Sequence, residues 1–469
     1  MQKKHKRIQT LLLVLIILLL SGCSPDGAPL VPLITNTPAS LKKTSTPTPT
    51  PTEDLTRIKI EPEELAGIQI QVSYAFVDSS AAHFSDQVAK FNTLNEWGIL
   101  VYPLAKDSYN TLYEAVSSTL DTSDQPDMVI TLPEQVLDWD AKAVVIDLAP
   151  YLEDPQYGFS AVDVSDFAAI FWDLAYKNEK LLGLPAQLSS AFLYYNQTWA
   201  RQMGFTRIPL TSSDFRKQAC AANQSFRSDT NLQNDGYGGW IVNTTPESIL
   251  AWMQAFGGGV LEDDQYKFSS DANQSALEFL KKLYDDNCAF ITSEPNQYPS
   301  FANRSALFIS ADLVEIPNQS LAFEQANNSD EWTLIPFPGQ QGQLIAEGPV
   351  FSVLKSTPEK QLAAWLFTRW LLSSENQASW VVATGTLPLR TSSYEALTGY
   401  RSSHPQWDDA VAYMDKLAVQ PKVVSWRKAR PVLGDAANFM FRNNISLDKI
   451  PGLLTQMDET VQELTEAKP

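Results

Sequence analysis

Between Ile68 and Thr131 the apolar residues change their repeat four times, and this alternation restricts the fold more than any other feature of the chain. Ile68 to Phe76 runs Ile-Gln-Ile-Gln-Val-Ser-Tyr-Ala-Phe, with the period of two and the β-branched content of a strand. Phe84, Val88 and Phe91 then recur at helical spacing, Gly98 to Pro103 is a second short strand, Leu112, Val116 and Leu120 mark a second helix, and Asp127 to Thr131 is a third strand. Such a βαβαβ unit predicts a parallel sheet covered by helices, whose ligands sit beyond the carboxyl ends of the strands. The loops after Phe76, Pro103 and Thr131 are therefore expected to matter.

Further along, Asp271 can cap a helix with Ala276, Leu280, Leu283 and Tyr284 on one face, ending near Asn287. Thr357-Pro358-Glu359 is a helix start, with a capping hydroxyl, a proline at the first helical position and a carboxylate near the positive end of the dipole. Leu362, Trp365, Leu366 and Trp370 follow as its buried stripe. The chain has 469 residues, too many for one hydrophobic core, so two lobes are expected. No internal repeat is visible.

The N-terminus reads as an export signal over residues 1–22. Lys3, Lys4, Lys6 and Arg7 precede an apolar run from Leu11 to Leu20, which is too short for a ~30 Å hydrocarbon core. Leu20-Ser21-Gly22-Cys23 looks like a bacterial lipobox, in which the Cys23 thiol is acylated; two acyl chains suffice for stable anchoring. Residues 23–65 then form a tether rich in Pro, Thr and Ser, peaking at Thr44 to Thr52. At about 3.1 Å per residue such a chain reaches up to roughly 100 Å.

Of 35 basic and 54 acidic residues, 31 and 54 remain after the signal, a net −23. That charge repels nucleic acid, and no nucleic-acid partner is expected. Cys220 and Cys288 are expected to pair in an oxidising compartment, closing a loop worth on the order of 4 kcal/mol in the chain-entropy model. The alternative is two buried free thiols. His83 and His404 stand in no ligand-like spacing, so neither a metal nor another cofactor is expected; His83 reads as a solvated residue near a helix start.

Gly257-Gly258-Gly259 lacks the lysine and hydroxyl of a phosphate loop and reads as a turn. No Gly-x-Ser-x-Gly elbow occurs, and the two histidines that remain after the signal leave little for acyl transfer. Abundant carboxylates keep open a glycosidase pair on an α/β scaffold. Aromatics make up 11% of residues. Several lie in segments resembling loops or strand ends: Tyr194, Tyr195, Trp240, Trp252, Trp332, Trp407 and Trp426. Flat rings of this kind suit the C–H faces of sugars, while Trp252 reads as part of a buried helix face.

From about Gly67 to Phe439 the chain resembles the extracellular solute-binding proteins of ABC importers, in the group containing maltose- and other sugar-binding proteins. The resemblance rests on ordered landmarks: Pro126-Asp127-Met128-Val129, Leu184-Pro185 leading into Phe192 to Asn196, Ala306 to Ser310, Pro336 to Gly339, the helix from Thr357, and Gly385 to Arg390. It implies a two-lobed periplasmic-binding-protein type II fold with hinge-crossing segments and a solute trapped between the lobes. Lobe 1 would be 66–185 plus 303–335, lobe 2 would be 186–302 plus 340–400, and residues 401–469 a helical segment across both. Crossings would fall near Leu184 to Ser190, near Asn303 and near Pro336 to Gly339.

The binding positions carried over are Asp78, Ser79 and Ser80 after the first strand, Thr131 and Glu134 after the third, and Gln187 and Ser189 beside the hinge. Thr245, Glu247, Asp312, Glu347, Gly348 and a late stacking ring, Trp426, complete the set. Ala311 and Asp312 stand where maltose-type proteins carry a stacking tryptophan, which argues against maltodextrin. The resemblance implies a monomeric, non-enzymatic protein. It would be lipid-anchored on the outer face of the cytoplasmic membrane or face the periplasm of a two-membrane cell. Its partners would be a small solute, most simply a carbohydrate, and the subunits of an ABC permease.

Overall fold

The computed structural model describes residues 58–340 and 342–466. The export signal, Cys23 and most of the tether lie outside the described residues. The last part of the expected tether is folded, however: Pro62–Leu65 forms a 3-10 turn, Leu65 is fully buried, and the Ile58 amide donates to Asp154 Oδ2 at 2.7 Å. Ile60 and Leu65 supply the apolar anchors that the Pro/Thr stretch lacks.

The βαβαβ unit forms as expected. Strand β1 (Gln69–Tyr74) leads into helix α1 (Asp78–Leu94), β2 (Leu100–Ala105), α2 (Tyr109–Thr119), β3 (Met128–Thr131) and α3 (Pro133–Ala141). β1 pairs in parallel with β2, Ile70 opposite Val101, and with β3, Val72 opposite Met128. All four residues are buried, which fixes the register: a slip by one residue would turn the apolar set to the other face. The short β4 (Leu184–Pro185) lies at the far edge of this first sheet.

The chain then enters a second sheet. It contains β5 (Ala191–Asn196), β6 (Gly238–Ile241), β7 (Ala289–Phe290), β8 (Ala306–Asp312) and β9 (Trp332–Ile335), in the order β7-β6-β8-β5-β9. Around it pack α4 (Ser212–Arg227), α5 (Pro246–Ala255) and α6 (Asp271–Asp285). Finally β10 (Val350–Val353) returns to the first sheet, antiparallel between β3 and β4, followed by α7 (Pro358–Leu371) and α8 (Ser374–Thr384).

This order corrects the expected division. Residues 303–335 belong with the second sheet and 350–384 with the first, the reverse of the expected assignment. The chain crosses between Pro185 and Ala191 and again between Ile335 and Val350, but not at Asn303. There it leaves a short helix, turns with Arg304 at φ 59°, and enters β8 within the same sheet. The reason is pairing: Phe308 of β8 lies between Trp240 and Tyr195, whose strands flank it on either side.

The helix from Thr357 starts as expected, with the Thr357 hydroxyl accepting from the Lys360 amide. The helix at 271 is capped one residue earlier, by Ser270. His83 is half-buried rather than solvated, its ring against Trp380 at 5.6 Å. Beyond α8, α9 (Pro405–Val411) packs on β9, while α10 (Trp426–Met440) touches α3 on the first sheet's side and α5 on the second's. α11 (Ile450–Glu466) covers α10 and α6.

Cys220 on α4 and Cys288 before β7 are bonded, their Cα atoms 4.3 Å apart. Gly239 makes room for this arrangement, since a Cβ there would lie 1.8 Å from the Cys288 carbonyl oxygen. The bridge spans 68 residues. Replacing both cysteines by alanine is expected to lower the unfolding free energy in urea by about 2–4 kcal/mol. A reductant should destabilise the natural chain similarly and leave the double variant unchanged.

Candidate functional site

Two of the segments that carry the chain between the sheets, 185–191 and 335–350, have their backbones tied together. The Ser189 amide donates to the Glu347 carbonyl at 2.8 Å and the Glu347 amide to that of Ser189 at 2.9 Å, while the Ala186 amide reaches Pro349 at 2.9 Å. Gly348 sits between these contacts at φ 149°, where an added Cβ would meet the Gln187 carbonyl at 2.2 Å. Only glycine lets the segments approach so closely. Leu387 makes a further bridge, its amide donating to the Leu188 carbonyl at 2.7 Å.

Beside this junction lies a cavity of about 250 Å³, at the carboxyl ends of β2 and β3 as the fold type requires. The first sheet's side contributes Tyr109 at the start of α2 and Leu132, Pro133 and Glu134 at the start of α3; the second contributes Glu247, Asp312 and Val314. Gln187, Ser189 and Ala346 to Pro349 form the floor, and Gln420 to Lys422, Trp426 and Arg430 close the remaining side.

Local sequence explains how these groups are held. Pro133 opens α3 and places Glu134 in its first turn, where the helix dipole favours a carboxylate. Thr245 and Pro246 do the same for α5 and Glu247. Asp312 ends β8 and caps the next turn, accepting from the Val314 amide at 3.0 Å and from the Ser189 hydroxyl at 2.5 Å. Trp426 and Arg430, four residues apart on α10, share one face. Arg430 Nη1 stands 3.5 Å from Glu134 Oε1 and 3.7 Å from Glu247 Oε1.

Four carboxylates therefore share one small wall. Burial pushes Asp312 up to about 6, opposed by its bonds from Ser189 and Val314 and reinforced by Glu315 and Glu247. Glu347 is held well above the ordinary carboxylate range by burial first and by the charges of Asp312 and Glu247 second. Glu134 is also raised by burial, against the pull of Arg430. Three oxygens in the wall, Glu134 Oε1, Gln187 Oε1 and Glu347 Oε1, are buried without a hydrogen bond.

Of the thirteen carried-over positions, eight line the cavity: Glu134, Gln187, Ser189, Glu247, Asp312, Glu347, Gly348 and Trp426. The other five stand outside the wall. Asp78, Ser79 and Ser80 open α1 at the surface. Thr131 is fully buried, its hydroxyl donating to Gln135 Oε1, and Thr245 is occupied as the cap of α5. The aromatics expected near strand ends are mostly core: Tyr194, Tyr195, Trp240 and Trp332 lie buried in the second sheet, and Trp407 lies buried on α9. Sequence reasoning missed Tyr109, Lys422 and Arg430. The spacing of Arg430 from Trp426 was the available signal for one of them. Among the described residues no group of three or more His, Cys, Asp or Glu side chains is placed to hold a metal ion.

The family model for bacterial extracellular solute-binding proteins matches residues 86–415. No curated protein matches by sequence. Among solved structures, the sugar-binding protein MalE of Xanthomonas citri is similar at a TM-score of 0.72 and 19% identity, covering 86% of this chain and 100% of that one. A cyclic alpha-maltosyl-1,6-maltose binding protein of Arthrobacter globiformis gives 0.67 at 16% identity, covering 84% and 98%. UgpB of Mycobacterium tuberculosis, in complex with glycerophosphocholine, gives 0.67 at 15%, covering 85% and 98%. No described helix is long and apolar enough to cross a membrane.

The raised value of Asp312 sets a pH dependence. In the unfolded chain it ionises near 3.8 and in the folded protein near 6, so the native state binds the proton more tightly. Its stabilising contribution is complete below the first value and disappears as pH rises through the second. Asp312→Asn keeps the acceptor and removes the charge. Relative to the natural chain it is expected to gain on the order of 1–3 kcal/mol in urea unfolding at pH 7.5 and little at pH 4; a gain independent of pH would refute the raised value.

Proposed function

The chain belongs to the bacterial extracellular solute-binding proteins, and on that premise we propose that it captures a small polar solute, most simply a carbohydrate, between its two sheets and passes it to an ABC permease. One observation supports this reading: a small cavity walled by both sheets and both crossing segments, with buried oxygens in its wall that take no hydrogen bond among the described residues. A polar solute supplies the missing donors, and Trp426, only 1% exposed, backs the cavity with apolar surface. The volume is below the roughly 300–1,000 Å³ of clefts for drug-sized ligands, which favours a monosaccharide-sized solute over a long maltodextrin. Asp312, standing where maltose-type proteins stack a ring, agrees with that size.

Cys23 would hold the protein by lipid on the outer face of the cytoplasmic membrane, and the Pro/Thr segment would give it reach to sample solute and still dock on its permease. Binding would be reversible and non-catalytic. Raised carboxylates in a cleft also occur in hydrolases, and turnover of a nitrophenyl glycoside by the purified protein would replace the binding reading with that one.

A thermal-shift screen of sugars, polyols, amines and amino acids tests the proposal. A solute at 100 times its dissociation constant should stabilise by about 2.7 kcal/mol. For any solute that does so, Trp426→Ala is expected to weaken binding about tenfold, roughly 1.4 kcal/mol, by calorimetric titration. Unchanged affinity would return Trp426 to a purely structural role.

A further inference from the structure

The charge balance of the cavity wall is uneven. Glu134, Glu247, Asp312 and Glu347 face it, against Arg430 and Lys422. Arg430 lies between Glu134 and Glu247. The Lys422 ammonium donates to the backbone carbonyls of Asp173 and Tyr176 and takes no part in an ion pair with the wall. Among the described residues Asp312 and Glu347 thus form no ion pair, although the charge of Arg430 also acts on Glu347, and the bonds to the Asp312 carboxylate come from Ser189 and Val314.

The unpaired atoms give an independent indication. Each of the buried wall atoms lacking a hydrogen bond, Glu134 Oε1, Gln187 Oε1 and Glu347 Oε1, is an acceptor, and Glu134 is only 6% exposed. The wall therefore asks for donors. A neutral solute with hydroxyls would meet that demand but leave the two half-buried carboxylates without an opposite charge at ion-pair distance, which disfavours their ionised form. A metal ion would compensate the charge, yet no three of these groups converge on one point. Distributed charge beside the indole of Trp426, a favourable face for a cation, fits a bulkier organic cation.

Resting on the solute-binding reading above, we infer that the solute carries a protonated amine with N–H donors, an amino sugar or comparable small alkylammonium, received by Glu347 and Asp312. The ammonium supplies at one point both the charge and the donors that the wall lacks. The upward-held carboxylates of Asp312 and Glu347 agree: the charge of Asp312 helps to hold Glu347 up, and a cation between them relieves that repulsion.

Calorimetric titration with glucosamine and putrescine, against glucose and N-acetylglucosamine, tests this on the full chain. At least one amine is expected to bind tenfold or more tightly than both neutral sugars. Glu347→Gln should weaken that amine tenfold or more while raising the melting temperature of the empty protein, opposite movements that a merely structural residue would not give. Asp312→Asn should behave likewise and serves if the first variant fails to fold. Neutral sugars binding as tightly as the amines, or a Glu347→Gln variant with undiminished amine affinity, overturns the inference and leaves the solute-binding reading standing. Calcium chloride binding in place of the amines overturns it in favour of a metal. If none of these probes binds, the inference fails, and the wider screen alone decides the solute-binding reading.

Discussion

The paired backbone contact between Ser189 and Glu347 is the point on which the rest of the architecture depends. Two five-stranded sheets meet only through a few segments, and these have to lie close enough to share hydrogen bonds while each continues into a different sheet. Gly348 makes that approach sterically possible. Because Ser189 and Glu347 also present their side chains to the cavity, the same contact that joins the sheets fixes one wall of the site. Mechanics and recognition share these few residues.

Placing Glu347 there has an energetic consequence. A carboxylate at a buried junction is held towards its neutral form, and Asp312 across from it is held up by the same burial. Such groups reduce stability at neutral pH. A protein selected only for stability would place glutamine and asparagine at these positions, so the acids point to a demand made by something bound. Arg430, between Glu134 and Glu247, offsets the other half of the acidic wall at ion-pair distance and acts on Glu347 without forming an ion pair with it.

Much of the fold was legible because local patterns carried it. The alternation of β1, the helical spacing of Phe84, Val88 and Phe91, and the Thr357-Pro358 cap each reflect interactions within a few residues. Sheet membership did not follow, because the buried parts of β8 and β10 are both apolar runs, and nothing local says which neighbours they pair with. That is why residues 303–335 and 350–384 exchanged places. The site was legible where the chain crosses between sheets and at helix starts. It was illegible for Lys422, and for Arg430 the one signal was its spacing from Trp426; both reach the wall because α10 and the loop before it lie across the gap between α3 and α5. The strand aromatics failed as ligand candidates for a related reason: ring and spacing look alike whether a side chain faces a cleft or a core.

The Cys220–Cys288 bond ties α4 to the segment entering β7, and both ends belong to the second sheet's side. Among the described residues no covalent cross-link joins the two halves, whose connections are the crossing segments and the helices laid over them. Oxidation of this pair can therefore stiffen one half without cross-linking it to the other. The rigidity gained by that half is available as a fixed surface against which the other can move.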